Sequence, residues 1–281
     1  MFNRVSLLLP VALIALACAK EPAPASSGTS VATPQDVTII ATEYGYELPA
    51  TPVHAGLTTI TLVNHGQELH HMQLVRLTDG KPVADLAAAL TAHAPLPAWV
   101  VLEGGPNGAR PGSSANATLV LEPGQYAMYC RIPAPDGSAH WTHGMILGMS
   151  VLPDSAPAAP LASGDIQVGL FNFGFAMSTA PTAGTHEFAV TNNADQPHEM
   201  AIVPLAPGET MQPWIDWVEG GYQGPPPEMP SGGITDLRPG QVQNFTMTFA
   251  PGTYGLICFV LDATDGKSHV VHGMTSTFTV S

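Results

Sequence analysis

Two stretches of this 281-residue chain repeat one another in order and in spacing. Asn64, His70 and Cys130 recur as Asn192, His198 and Cys258, each 128 positions further on, and His140 and Met145 recur as His269 and Met274 at a distance of 129. An offset held from Asn64 to Cys130 and then lengthened by one residue implies a duplicated domain with a single insertion in the loop after the cysteine, rather than two chance motifs.

Each copy reads as strands. "GLTTITLVN" and "GTHEFAVTN" carry β-branched and aromatic residues in partial alternation between Gly and Asn, as half-buried antiparallel strands do. "ANATLVLEPGQYAMYC" and "QNFTMTFAPGTYGLIC" each give two strands about a Pro-Gly turn, the grammar of a hairpin. "PVADLAAALTAH" begins on Pro and is rich in Ala and Leu, which favours a short helix, and "MQPWIDWVEGG" is its looser counterpart. The expected class is all-β: two tandem β-sandwiches of the Greek-key type with a short helix in the long connection.

The chain opens with "MFNRVSLLLPVALIALAC", one basic residue followed by an apolar run too short to span a bilayer and then small residues, the layout of an export signal. "ALAC" permits cleavage after Ala17 or lipidation of Cys18, as in bacterial lipoproteins. The expected division is a signal peptide at 1–17, a Pro/Ala/Ser tether at 18–35, a first domain at 36–152, a linker at 153–163 and a second domain at 164–281. The chain is then an exported periplasmic or cell-envelope protein of a bacterium, held to the membrane if Cys18 is lipidated. A formal charge of −14 with only eight Lys and Arg gives no basic surface for a phosphate backbone and excludes nucleic acid as a partner.

"CRIPAPDGSAHWTHGM" and "CFVLDATDGKSHVVHGM" set a thiol, imidazoles and a thioether close together twice, and all three are soft-metal donors. The alternative for Cys130 and Cys258 is a disulfide, which export would permit; equivalent positions of two tandem sandwiches should lie too far apart for one. Met72 and Met200 share a strand face with His70 and His198 and read as core residues, which turns His71 and Glu199 the other way, toward solvent.

An Asn, a turn and a His at a strand start, followed much later by strand, Cys, loop, His, loop and Met, resembles the cupredoxin family of blue-copper proteins in both halves. "NNADQPHEM" looks like the plastocyanin segment with the first histidine ligand, "PGTYGLIC" like the strand leading to the cysteine, and the long Cys-to-His loop is closer to the type 1 site of copper nitrite reductases. The resemblance implies a copper ion in each domain, up to two in all, held by His70, Cys130, His140 and Met145 and by His198, Cys258, His269 and Met274. His143 and His272 compete with His140 and His269 for ligand status; otherwise they are hydrogen-bond partners beside the site or exposed electron ports.

The His that nitrite reductases and multicopper oxidases place beside the type 1 cysteine is absent: the neighbours are Tyr129 and Arg131, then Ile257 and Phe259. The oxidases' His-x-His pairs are absent too. The expectation is therefore an exported carrier of single electrons with no enzymatic activity, serving a redox partner protein such as a cytochrome or an oxidase. Copper storage or delivery, or a metal-free binding module on the same frame, are the alternatives.

Overall fold

In a β-sandwich the strand alternation decides which residues enter the core. The computed structural model describes Met1 and residues 33–92, 95–155 and 158–281. The signal peptide beyond Met1, Cys18 and all but the end of the tether lie outside the described residues. The first copy runs β1 (Gln35–Thr42), β2 (Gly45–Glu47), β3 (Val53–His54), β4 (Gly56–Asn64), β5 (Gln73–Leu77), α1 (Val83–Thr91), β6 (Val100–Gly104), β7 (Ser114–Leu121), β8 (Gly124–Tyr129) and β9 (Ile146–Leu152). The second runs β10 (Ile166–Phe171), β11 (Gly174–Met177), β12 (Gly184–Asn192), β13 (His198–Leu205), α2 (Gln212–Glu219), β14 (Gly233–Leu237), β15 (Val242–Phe249), β16 (Gly252–Ile257) and β17 (Thr275–Val280).

Both copies are β-sandwiches. In the first, β2-β1-β4-β7 faces β3-β9-β8-β5-β6; in the second, β11-β10-β12-β15 faces β14-β13-β16-β17. Alternation in β4 sends Thr58, Ile60, Leu62 and Asn64 inward, where they meet Leu74, Met128 and Met149 of the opposite sheet. The second core repeats this with Val168, Phe188 and Val190 against Ile202, Leu256 and Phe278. The two helices cover the outer faces: Leu86 of α1 packs on Val75 and Tyr129, and Trp214 of α2 on Val203 and Ile257. Burying such faces is what makes a short helix stable in a mostly β protein.

The Pro-Gly segments correct one expectation. The strands form, yet they do not pair as hairpins: β7 pairs with β4, whereas β8 pairs with β5 and β9. Each turn is an arch between the two sheets, because the apolar positions on its two arms face each other across the core. A tyrosine closes each arch, with Tyr126 Oη donating to Glu122 O at 3.0 Å and Tyr254 Oη to Ala250 O at 3.1 Å.

The sandwiches are joined edge to edge. β7 and β15 meet at Thr118 and Asn244, making one eight-stranded sheet of the two inner sheets. Much of the rest of the contact is polar, and its centre is buried. Asp236 N donates to Gln73 Oε1 at 2.9 Å, Gly105 N to Gln243 Oε1 at 3.1 Å, and Thr235 N to Gly105 O at 3.0 Å. Each such bond adds about 1 kcal/mol net, while stripping one partner costs about 1–3 kcal/mol.

Gly105 and Gly233 are equivalent in the two copies and sit with φ of 129° and 113°. A Cβ on Gly233 would lie 1.9 Å from the Met200 carbonyl oxygen. Gly233→Ala is expected to lower unfolding stability by more than about 2 kcal/mol through strain and clash together, read as a lower urea midpoint with an unchanged slope; a variant as stable as the parent contradicts this packing.

Candidate metal centre

Each candidate site is assembled from three places in its sandwich. The first is the turn after Asn64 or Asn192. Asn64 Nδ2 donates to Glu68 O (2.7 Å) and Ala109 O (2.9 Å), while its Oδ1 accepts from Gly66 N at 2.7 Å. Asn192 repeats this with Gln196 O, Leu237 O and Ala194 N. The buried amide thus closes the loop that delivers His70 or His198. The second is the end of β8 or β16, which delivers Cys130 or Cys258. The third is the loop beyond, where Met145 N donates to His140 O (3.1 Å) and Cys130 N to Met145 O (3.2 Å). In the second copy Met274 N donates to His269 O and Cys258 N to Met274 O.

These segments bring together His70, Cys130 and His140 in one group and His198, Cys258 and His269 in the other, all buried. His70 Nδ1 lies 3.1 Å from His140 Nδ1, which is 3.5 Å from Cys130 Sγ. Cys258 Sγ lies 3.3 Å from His269 Nδ1 and 3.9 Å from His198 Nδ1. Met145 and Met274 are fully buried in the same cores as the cysteines, as are Met72 and Met200. Both cysteines are free thiols, so no disulfide joins them.

In one ring of each pair, His140 and His198, a hydrogen bond at the outer edge explains why Nδ1 faces inward, whereas His70 Nε2 and His269 Nε2 are buried without one. His140 Nε2 donates to Glu68 Oε2 at 2.9 Å, and His70 Nε2 lies 3.5 Å from Glu43 Oε1. His198 Nε2 donates to Asn172 Oδ1 at 2.8 Å, and Asn172 is itself oriented by donating to Asp195. A proton held on Nε2 leaves Nδ1 with its lone pair directed at the sulfur. Three donors around one trigonal ion, at bond lengths of about 2.0–2.3 Å, would stand about 3.6–3.8 Å apart, close to the separations here. The residues fit a soft metal ion: two imidazoles and a thiol suit copper above all.

Burial sets the charge of the metal-free groups. Desolvation pushes the Cys130 thiol up to about 12 and the Cys258 thiol well above its ordinary value. Desolvation, then the neighbouring His70, brings His140 down to about 4, and desolvation with His269 does the same to His198; His70 and His269 are lowered too. Near pH 7 and without metal, the thiol and imidazole donors of both groups are therefore neutral.

A second layer ties each histidine segment to its cysteine strand. His71 N donates to Cys130 Sγ (3.5 Å), while His71 Nε2 accepts from Arg131 N (3.1 Å). Glu199 N donates to Cys258 Sγ (3.4 Å), while Glu199 Oε1 accepts from Phe259 N (2.9 Å). This overturns the expectation that His71 and Glu199 are exposed: they are 4% and 3% exposed. They do point away from the core of their own sandwich, but the other copy covers that face.

His143 and His272 lie outside the two groups, at the surface. They pair with Asp136 and Asp265 and stack on Tyr44 and Phe173 at ring-centroid distances of 4.7 Å. Those aromatic rings also touch His140 (4.8 Å) and His269 (5.2 Å). Sequence reasoning missed Glu43, Tyr44, Asn172 and Phe173, although "EYGY" and "NFGF" repeat at the 129-residue offset and could have exposed them.

No protein-family model matches the chain, and no curated protein does. Among solved structures it is similar to a dithionite-reduced auracyanin from Roseiflexus castenholzii, at 25% identity and a TM-score of 0.30 over 41% of this chain and 94% of that one. It is similar to a copper-containing nitrite reductase from Thermus scotoductus SA-01, at 12% identity and 0.26 over 89% and 62%. A blue copper oxidase from Nitrosomonas europaea gives 13% identity and 0.24 over 88% and 84%. At these TM-scores the likeness carries no argument, and the two-sandwich fold and the site rest on their own topology and geometry. The expectation of a chain without enzymatic activity is corrected: the nitrite reductase and the oxidase are enzymes.

Five imidazoles with lowered proton affinity, the four above and His71, set an acid dependence. The unfolded chain takes up their protons near pH 6.5 and the folded chain does not. Stability of the metal-free protein is therefore full above pH 6.5 and is lost as pH falls from there toward about 4. Thermal melts of metal-free protein across this range should show a steadily falling Tm; a flat profile contradicts neutral, buried imidazoles.

Proposed function

We propose that the protein binds one copper ion in each sandwich and carries single electrons on them. The observation that carries this reading is the convergence, twice, of two Nδ1 atoms and one Sγ in a buried pocket, with one ring of each pair, His140 and His198, already hydrogen-bonded at its outer edge. His70, Cys130 and His140 would hold one ion and His198, Cys258 and His269 the other, with Met145 and Met274 as weak thioether neighbours. Copper held by such a set cycles between Cu(I) and Cu(II) with little rearrangement, because the ligands are acceptable to both.

The chain's own residues do the rest. Glu68 and Asn172 fix the imidazole tautomers, the amides of His71 and Glu199 donate to the sulfurs, and such hydrogen bonds tune potential. The stacks of Tyr44 with His143 and of Phe173 with His272 give each ligand histidine a route to the surface. A chain of charge −14 suits a partner with a basic docking face, reached by electrostatic steering. The export signal and the tether read from the sequence favour the periplasm or cell envelope as the place of this work, with Cys18 as the lipid anchor if the chain is processed as a lipoprotein.

Copper(II) added to the metal-free protein should give two ions per chain and an intense thiolate-to-copper absorption that ascorbate bleaches and oxidant restores. Cys130→Ser and Cys258→Ser should each remove one ion and its band. Copper that binds without such a band, or that survives both substitutions, contradicts the assignment.

A further inference from the structure

The two candidate sites face one another across the domain contact through the residues that follow their ligands. In the second copy Glu199, next to His198, has its amide on Cys258 Sγ and its Oε1 on Phe259 N. Its other carboxylate oxygen turns to the first copy, where Asn107 Nδ2 donates to Oε2 at 3.2 Å and Arg131 Nη2 lies 3.8 Å from the same atom. Arg131 is the residue after Cys130, and it donates to Asp236 of the second copy as well. One side-chain ion pair therefore separates the neighbour of one cysteine from the residue whose amide holds the sulfur of the other.

The first copy supplies the contrast. There the equivalent of Glu199 is His71, which closes the same bond to the backbone of Arg131 but bears no carboxylate to reach outward. The two copies thus share the bond that ties histidine segment to cysteine strand, and only the second extends it across the contact. Glu199 is 3% exposed, and an acid buried that deeply is retained at a desolvation cost unless it is paired. Its partners at Oε2 both come from the other domain. Stability alone would be served as well by an apolar pair of the same shape.

We propose that Arg131 and Glu199 bridge the two sites for electron exchange, an inference that rests on the copper reading above. In the exchange one site would lose the electron that the other gains, with no bond made or broken. The two act as positioning residues, since neither is among the three donors of either group.

The test uses the full chain loaded with two copper ions and reduced by a flash-generated donor in less than one equivalent. After the concentration-dependent reduction, a second phase independent of protein concentration should redistribute the electron between the two absorption bands. Cys130→Ser and Cys258→Ser, each with a single band, should lack it. Arg131→Met and Glu199→Gln should keep both bands and both midpoint potentials but lose the second phase. Glu199→Gln retains an acceptor for Phe259 N but turns an NH2 toward Asn107 Nδ2 and Arg131 Nη2, so a lower unfolding midpoint of the metal-free protein is expected; two full-strength bands in the variant then show both sandwiches intact, which separates loss of the bridge from loss of the fold. Both bands with no second phase in the parent, or a second phase of unchanged rate in both bridge variants, overturns the proposal. Absence of the bands themselves overturns the copper reading, a result distinct from either.

Discussion

Each site depends on a bond that neither strand could make alone: the amide of the residue after the histidine donates to the cysteine sulfur, and that residue's side chain receives the amide of the residue after the cysteine. Two strands that leave the same sheet at the end of the sandwich are locked at the point where their donors must converge. The buried Asn then shapes the turn before the histidine, and the loop back to Met145 or Met274 returns the second histidine to the sulfur. A rigid frame of this kind lets a bound ion change charge without moving its ligands, which keeps the cost of electron transfer low.

The duplication has been put to two uses. Within each sandwich it repeats the donor set, the Asn turn, the tyrosine-closed arch and the Asp–His pair stacked on an aromatic ring. Between the sandwiches it is broken, because an interface of unlike copies needs complementary rather than equal residues. Gln73 and Arg131 of the first copy meet Asp236 of the second, Asn107 meets Glu199, and Gly105 N donates to Gln243. The strand edges that each sandwich would otherwise expose at β7 and β15 close on one another, which removes two open templates for aggregation.

Much of this was legible in the sequence, for a physical reason. Strand alternation, Pro-Gly turns and donor residue types are local properties, so the repeat located β4 and β12, the helices and the His, Cys and Met positions before any coordinates. What stayed hidden was set by residues distant in the chain. Alternation placed His71 and Glu199 on the outward face, correctly, but could not say that the other copy covers it. The Pro-Gly segments read as hairpins because pattern fixes a strand and its turn, not the sheet it joins. Glu43 and Asn172, which face the outer ring edges of His70 and His198, come from the tight turns between β1 and β2 and between β10 and β11, some way up the chain from the motif each supports.

The account turns on whether Nδ1 and Sγ atoms, in two equivalent groups, are what the metal meets. X-ray absorption fine structure at the copper edge of fully loaded protein tests this most directly. It should give, averaged over two ions per chain, two nitrogen neighbours and one short sulfur neighbour per copper, and the same sulfur count per copper in either cysteine-to-serine variant, which holds a single ion. A shell of nitrogen and oxygen alone, with no sulfur in the parent protein, would contradict it.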